Sequence, residues 1–158
     1  MYSYISHLEC TVCKKHFPHN EISTISECCS KVLFAKYDLE KLKNEVDKDV
    51  FKSRDSNMWR FSELLPVTDP DKVVTLGEGG TPLLRTNKLG LKLDLNNLYI
   101  KDEGLNPTGT FKARGIGAAV SKANELGVKG FTMPSAGNAA GAVAAYAARS
   151  GHPVKVYM

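Results

Sequence analysis

Lys112 is the residue whose setting most clearly predicts chemistry, since it lies in the segment NPTGTFKARG at residues 106–115. Two turn formers, Pro107 and Gly109, precede it, and the run KARGIGAAVSKANELG is predicted to be a helix. The dipole at a helix start disfavours an ammonium ion, so the lysine amine is more available as a neutral nucleophile. The predicted chemistry is condensation with a carbonyl group, and we expect Phe111 to bury itself so that Lys112 projects the other way. A solvated surface lysine is the alternative.

A second loop, SAGNAAG at residues 135–141, carries groups that suit an anionic ligand. Ser135 and Asn138 can each donate and accept hydrogen bonds, and Gly137 lets a ligand approach the backbone closely. The neighbouring alanines leave their amides unobstructed. A carboxylate fits this loop better than a phosphate. The alternative is that Asn138 only caps the helix that follows it.

All four cysteines lie within residues 10–29, which favours a small metal module over a disulfide scaffold. The motif CTVC has the spacing with which two thiolates bind one tetrahedral Zn²⁺. The candidate metal ligands are Cys10, Cys13, Cys28 and Cys29.

The second half of this metal site is irregular. Cys28 and Cys29 are adjacent, and adjacent side chains of extended backbone point opposite ways, so their joint use on one ion is geometrically awkward. His16 or His19 is a possible substitute for one of them. The alternative is a degenerate ribbon, or reduced cysteines that hold nothing.

The composition is that of an ordinary soluble protein. Hydrophobic residues make up 42% and charged residues 24% of the 158 residues, near globular averages. The net charge of +4 comes from lysines scattered among acids, which argues against nucleic-acid binding. No apolar run approaches the roughly 20 residues of a membrane span, and MYSYISHLEC lacks the layout of a signal peptide. We therefore expect a cytoplasmic protein with no membrane partner.

Three segments follow from these patterns. Residues 1–35 hold the cysteines and form a zinc-ribbon-like leader. Residues 36–72 form a helical linker, in which leucines and valines at helical spacing predict one or two surface helices that end at Pro66. Residues 73–158 alternate short apolar runs with helical patterns and form an α/β domain.

The α/β segment is predicted to contain a glycine-rich turn and a short strand in LGEGGTPLLRT, then a strand in NLYIKDEG. A helix closed by Gly127, a strand in GFTMPSAG, a helix closed by Gly151 and a final strand HPVKVYM follow. This alternation predicts a parallel sheet with flanking helices, and its loops lie at the carboxyl edge where ligands bind. The last strand demands another crossover helix, so we expect a longer protein, with this α/β domain incomplete at Met158.

The segment KDEGLNPTGTFKARG resembles the lysine segment of the fold type II pyridoxal-phosphate enzymes. GEGGTPL at residues 77–83 and SAGNAAGA at residues 135–142 resemble the same family in the same order. LECTVC with CSKVLFAKYDLE resembles the zinc-ribbon-like leader found on many threonine synthases. The resemblance covers nearly the whole chain, and the threonine synthases are the members that it resembles most.

The resemblance implies a tryptophan synthase beta-like fold and the cofactor pyridoxal 5'-phosphate, with Zn²⁺ possible in the leader. Lys112 would bind the cofactor covalently through its amine and then move protons at the substrate carbons. Asn138 would hydrogen-bond the phenolic oxygen of the cofactor. The substrate, a small amino acid, would be bound at its carboxylate by Ser135, Ala136, Gly137, Asn138 and Ala139.

The implied reaction converts O-phosphohomoserine and water into threonine and phosphate, as a carbon–oxygen lyase acting on phosphates. Many threonine synthases have aspartate where this chain has Ala113, and a variable residue there also occurs in threonine and serine dehydratases. A dehydratase-like lyase is therefore one alternative, and a non-catalytic zinc-ribbon binding protein is another.

Two departures from the family pattern bear on this expectation. The leader would normally have a cysteine at the place of Ser26, so zinc binding could be lost. The loop that cradles the cofactor phosphate would lie beyond Met158, so we expect little turnover from these 158 residues alone. A full-length protein could form a homo-oligomer.

Overall fold

The computed structural model describes residues 2–158, and its amino-terminal part is a small antiparallel sheet. The strands are β1 (Ile5–Cys10), β2 (His16–Phe17) and β3 (Leu33–Tyr37), in the order β2-β1-β3. Tight turns follow β1 and precede β3, and all four cysteines lie at the end of β1 or in these turns. The sheet thus gathers the cysteines at one of its ends.

The linker begins with two short surface helices, α1 (Leu39–Glu45) and α2 (Val50–Ser53), and neither of them buries a residue. The Asp38 carboxylate caps α1 by accepting a hydrogen bond from the Lys41 amide. This agrees with the predicted surface helices.

The prediction is wrong for the end of this segment, where Met58–Leu64 forms a 3-10 helix that is partly buried. Met58 and Trp59 pack with Val67 in a small apolar cluster. The side chains of this helix pack against apolar residues that lie farther along the chain, which helical periodicity cannot reveal.

The remaining residues form the α/β part, and most of its elements lie where the sequence predicts them. They are β4 (Leu83–Arg85), α3 (Asn87–Lys92), β5 (Tyr99–Lys101), α4 (Lys112–Glu125), β6 (Phe131–Pro134), α5 (Asn138–Ser150) and β7 (Val154–Tyr157). Gly127 and Gly151 follow the two long helices with φ of +72° and +73°, the left-handed conformation that ends a helix. The short helix α3 was not predicted.

Strand pairing agrees only in part with the predicted parallel sheet. β6 and β7 are parallel, with Phe131 opposite Val154, as expected of two strands joined by a crossover helix. β5 instead pairs antiparallel with β4, and within residues 2–158 it has no pairing with β6. The connection from β4 to β5 holds only the six-residue α3, so the chain turns back on itself without a full crossover.

The main apolar core lies between α4, α5 and the β6–β7 pair. Its buried members are Val74, Ala113, Val120, Val143 and Tyr146, with Phe131, Met133, Val154 and Val156 of the strands packed against them. This packing holds the amino ends of both helices in place. No helix within residues 2–158 has the length and apolar character needed to cross a membrane.

Candidate active site

Lys112 is the first residue of α4 and is half-buried. Its backbone amide donates to Thr110 Oγ1 at 3.2 Å, a local hydrogen bond in the turn that leads into the helix. Phe111 is 57% exposed, and the lysine Nζ lies 4.7 Å from the centroid of its ring. The expectation that Phe111 buries itself is therefore wrong, since the ring shields one side of the lysine instead. Within residues 2–158 the Nζ atom has no hydrogen-bond or salt-bridge partner.

The loop before Lys112 is tied down by buried Asn106. Its side-chain amide donates to the Glu103 carbonyl at 2.8 Å and to the Glu103 carboxylate at 2.9 Å. Its side-chain oxygen accepts from the Gly79 amide at 3.1 Å, which links the lysine loop to the GEGGTPL loop. The Thr108 hydroxyl oxygen is enclosed but has no partner among the described residues. A polar group beside the lysine loop is thus left for a ligand to satisfy.

Glu103 and Arg114 fix the start of α4 from the other side. Arg114 donates to both Glu103 carboxylate oxygens, at 2.6 and 2.7 Å, and Thr81 Oγ1 donates to the same carboxylate at 2.7 Å. These hydrogen bonds, that from Arg114 above all, lower the pKa of Glu103 to about 2. Such a bidentate pair is both strong and directional.

Glu78 of the GEGGTPL loop is fully buried and is bonded only by neutral donors. Trp59 Nε1 and the Tyr146 hydroxyl each donate to its carboxylate at 2.7 Å. Thr75 Oγ1 and the Leu76 amide complete the set at 3.0 Å. Burial and the Glu78 carboxylate together raise the pKa of Tyr146 far above its usual range. Glu78 therefore joins this loop to α5 and to the 3-10 helix, a role that the sequence analysis missed.

The turn between β6 and α5 has an open array of amides. Gly137 precedes the helix and no side chain caps it, so the alternative that Asn138 serves only as a cap is wrong. The Gly137 amide donates a hydrogen bond to Ser135 Oγ at 3.2 Å. The amides of Ala136, Asn138 and Ala139 have no partner in the part of the chain described. Free amides at a helix start are groups to which an anion such as a carboxylate can bind.

The two candidate loops lie at the starts of two helices that pack together through Ala113, Val143 and Tyr146. No hydrogen bond within residues 2–158 joins Lys112 to residues 135–139. The structure thus places the predicted residues at the starts of neighbouring helices, without a direct contact between them.

The turns that carry the cysteines have the same shape. In the first, the Cys10 amide donates to the Lys15 carbonyl at 2.9 Å and the Lys14 amide to the Cys10 carbonyl at 3.1 Å, with a Lys14 φ of +64°. This tight turn, which we call a knuckle, therefore places Cys10 and Cys13 on the same side of the turn.

In the second turn the Ser26 amide donates to the Lys31 carbonyl at 2.7 Å and the Ser30 amide to the Ser26 carbonyl at 2.8 Å, with a Ser30 φ of +51°. Ser26 thus stands where the first turn has Cys10, and Cys29 stands where it has Cys13. The Cys10 sulfur lies 3.3 Å from Ser26 Oγ.

All four cysteine sulfurs nevertheless converge, within 4.8 Å of one another. Cys28 and Cys29 lie in a turn and not in extended backbone, so the predicted geometric conflict between them is absent. Cys28 Sγ is 3.1 Å from Cys13 Sγ. His16 and His19 are not part of this group, so the expectation that one of them replaces a cysteine is wrong.

The pKa values of two cysteines in the cluster are shifted in opposite directions. The hydrogen bond with Ser26 lowers the pKa of Cys10 to about 6. The hydrogen bond with Cys13, followed by burial, raises the pKa of Cys29 to about 12. Ionisation of one sulfur thus opposes ionisation of its neighbour, an effect that a nearby positive charge would reduce.

Comparison with known proteins identifies the family of the chain. The family described as pyridoxal-phosphate dependent enzyme matches residues 74–158. Threonine synthase of Methanocaldococcus jannaschii is 45% identical over 142 residues, which is 90% of this chain and 35% of that protein. Threonine synthase of Methanosarcina acetivorans is 38% identical over 152 residues, 96% of this chain and 36% of that protein. That of Synechocystis sp. is 47% identical over 99 residues, 59% of this chain and 26% of that protein. The chain thus spans about a third of the length of the first two relatives.

Proposed function

The chain belongs to the pyridoxal-phosphate dependent enzyme family, and we propose that it contributes the lysine segment of a threonine synthase. The reaction would convert O-phosphohomoserine and water into threonine and phosphate. The observation that carries this proposal is Lys112, a half-buried amine without a partner at the start of α4, inside the segment matched by the family. The threonine synthases among its relatives support this choice of reaction.

Lys112 would hold pyridoxal phosphate through its amine. A lysine amine reacts with an aldehyde in its neutral form. The unpartnered Thr108 hydroxyl beside it supports the fit of a polar cofactor. When bound, the cofactor supplies an electron sink for carbanion chemistry. With its amine free again, Lys112 would carry protons between the substrate carbons.

The turn at residues 135–139 would bind the substrate carboxylate. The free amides of Ala136, Asn138 and Ala139 and the hydroxyl of Ser135 supply the donors. The exposed Asn138 side chain, which caps nothing, would hydrogen-bond the ring oxygen of the cofactor. The Gly137 amide already bonds Ser135, so its share in substrate binding requires the serine hydroxyl to rotate away.

Two hydrogen-bond networks, one buried and one partly exposed, would keep these parts in position. Glu78 links the glycine-rich loop to α5, and the Glu103–Arg114 pair links the lysine loop to α4. Because neither network needs the ligand to form, the site would be preorganised before binding, which lowers the free energy cost of binding.

A dehydratase-like lyase is the second candidate, based on Ala113 in place of an aspartate. Ala113 is 0% exposed and packs in the core of α4 and α5. A residue in this place contacts the core and not the open side of the site. Ala113 therefore gives little support to a dehydratase over a threonine synthase.

We also propose that the cysteine cluster binds one structural Zn²⁺, with no part in the reaction. Four sulfurs that lie within 4.8 Å of one another can rearrange to the tetrahedral geometry of such a site. Cys28 would take the place that Ser26 leaves empty. The ligands are Cys10, Cys13, Cys28 and Cys29.

Borohydride reduction of the chain with pyridoxal phosphate, followed by peptide mass mapping, tests the assignment of the lysine. We expect the pyridoxyl label on Lys112 and its loss in Lys112→Ala. Lys101 and Lys122 are matched controls, because Lys101 Nζ bonds the Thr81 carbonyl and Lys122 Nζ pairs with Glu125. A label on either control lysine contradicts the proposal. In a protein that contains this sequence, threonine and phosphate as products exclude the dehydratase alternative.

A further inference from the structure

A second group of ligand-type side chains lies on the leader sheet, apart from the cysteines. His7 and Glu9 are two residues apart on β1, so they point to the same face of the sheet. His16 on β2 pairs directly with Glu9 across the strands. Cys10 follows Glu9 and points to the opposite face by the same alternation. The group is therefore separate from the cysteine cluster.

The three side chains are close enough to share one ion. One ligand atom from each of His7, Glu9 and His16 lies within 4.8 Å of the other two. The two imidazole rings stack, with centroids 3.8 Å apart and an interplanar angle of 28°. Tetrahedral zinc with bonds of about 2.1 Å separates its ligand atoms by roughly 3.4 Å, which small side-chain rotations would reach.

Hydrogen bonding leaves a lone pair of His7 free for a metal. The Ser6 hydroxyl donates its proton to the Lys36 carbonyl at 3.1 Å. In the tautomer that fits this bond, the serine oxygen accepts at His7 Nδ1, 2.9 Å away, and the ring proton is on Nδ1. Nε2 therefore carries the lone pair, and it is buried without any partner in residues 2–158. A histidine that ligates a metal has this arrangement, with its other nitrogen donating to an oxygen.

Glu9 is available as the anionic ligand. The ion pairs with Lys36 and Lys14 are at its Oε1 atom, at 3.2 and 3.7 Å, and a carboxylate can bind a metal through its second oxygen.

We propose that His7, Glu9 and His16 form a second metal site, which binds Zn²⁺ or a similar late divalent ion. Two imidazoles and one carboxylate are a ligand set suited to such ions. Three protein ligands leave the fourth position to water. The ion would also fasten the two-residue strand β2 to β1, in a region with few buried apolar side chains.

Metal stoichiometry tests this second site. The full chain, stripped of metal and titrated with Zn²⁺, is expected to bind two equivalents. His16 is exposed, so His16→Gln should leave the fold intact while it weakens the second equivalent at least about 10-fold and spares the first. His7→Gln should have the same effect. His19→Gln is the matched control and should bind both equivalents.

Titration with Co²⁺ separates the two sites by spectrum. The cysteine site gives sulfur-to-metal charge transfer, whereas the histidine site adds only weak d–d absorption. Cys28→Ser should remove the first signal and keep the second. Binding of a single equivalent by the unsubstituted chain, or two equivalents retained in both His7→Gln and His16→Gln, would overturn the proposal.

Discussion

The leader and the part of the chain that contains α4 and α5, here named the helical part, are stabilised in different ways. In the leader the fully buried side chains include Cys10 and Ser26, while many apolar ones are exposed, namely Val12, Ile22, Ile25, Val32 and Phe34. The helical part buries Val120, Val143 and Tyr146 around the carboxylate of Glu78. The leader thus buries a cysteine and a serine where the helical part buries hydrocarbon.

This difference predicts which part of the molecule depends on metal. A sheet of some 35 residues has too little core to be stable alone, so a metal ion would have to supply much of its folding free energy. The helical part has its own apolar core and needs no ion. We therefore expect a given change to affect the stability of one region and to leave the other unchanged.

Metal removal should have the largest effect. We expect a strong chelator to abolish amide hydrogen-exchange protection in β1 and β3, because a structural zinc site contributes about 10 kcal/mol in small peptides. Protection in α4 and α5 should be unchanged. Hydrogen exchange followed by mass spectrometry measures both regions in one sample. Equal loss of protection in both regions would show that the helical part also depends on the metal.

The position of Ser26 allows a rescue of the cysteine site. Cys28→Ser should remove the tightly bound zinc, as measured by elemental analysis. Adding Ser26→Cys should restore it, because Ser26 stands at the place that Cys10 has in the first turn and its Oγ is 3.3 Å from the Cys10 sulfur. Failure of this rescue in a folded protein would show that Ser26 does not face the metal.

Glu78→Ala should destabilise the helical part by about 3 kcal/mol, since it leaves Trp59 Nε1 and the Tyr146 hydroxyl buried without an acceptor. Urea unfolding measures the loss. Glu21→Ala, at an exposed position, is the control and should change the free energy of unfolding by less than about 0.5 kcal/mol. An equally small change for Glu78→Ala would refute its role in linking the loop to the helices.

Two glycines of α4 offer a smaller and more local test. A Cβ added at Gly117 would lie 2.9 Å from Glu78 Oε1 and 3.1 Å from Tyr146 Cε1, while one at Gly115 meets nothing within 4 Å. We expect Gly117→Ala to cost about 1–3 kcal/mol through overpacking. Gly115→Ala should instead raise the free energy of unfolding by up to about 1 kcal/mol, because alanine favours helix. The difference in urea midpoint between the two variants checks the packing.

Acid should weaken the lysine loop with the smallest effect of the series. The pKa of Glu103 is lowered from its usual value of 4.5 to about 2, so its contribution to stability is complete above pH 4.5 and is lost as the pH falls towards 2. The difference in unfolding free energy between the unsubstituted chain and Glu103→Gln should shrink over that interval. A difference that stays constant with pH would exclude the charged Glu103–Arg114 pair as its source.

Local patterns predicted the elements that carry the site. Turn formers and small residues located the starts of α4 and α5 at Lys112 and Asn138, and glycine located their ends at Gly127 and Gly151. The spacing of CTVC predicted a knuckle turn. Each of these features depends on residues only a few positions apart, which is the range over which backbone conformation and capping act.

Contacts between distant segments could not be predicted in this way. The antiparallel pairing of β4 and β5, the stacking of His16 on His7 and the convergence of Cys28 with Cys13 all depend on how turns bring strands together. Glu78 shows the limit most clearly, because its partner Tyr146 is 68 residues away. Sequence alone settled which residue types stand at the helix starts and in the knuckles. Burial of a carboxylate and the grouping of metal ligands were decided by tertiary packing, since desolvation and convergence exist only once distant segments meet.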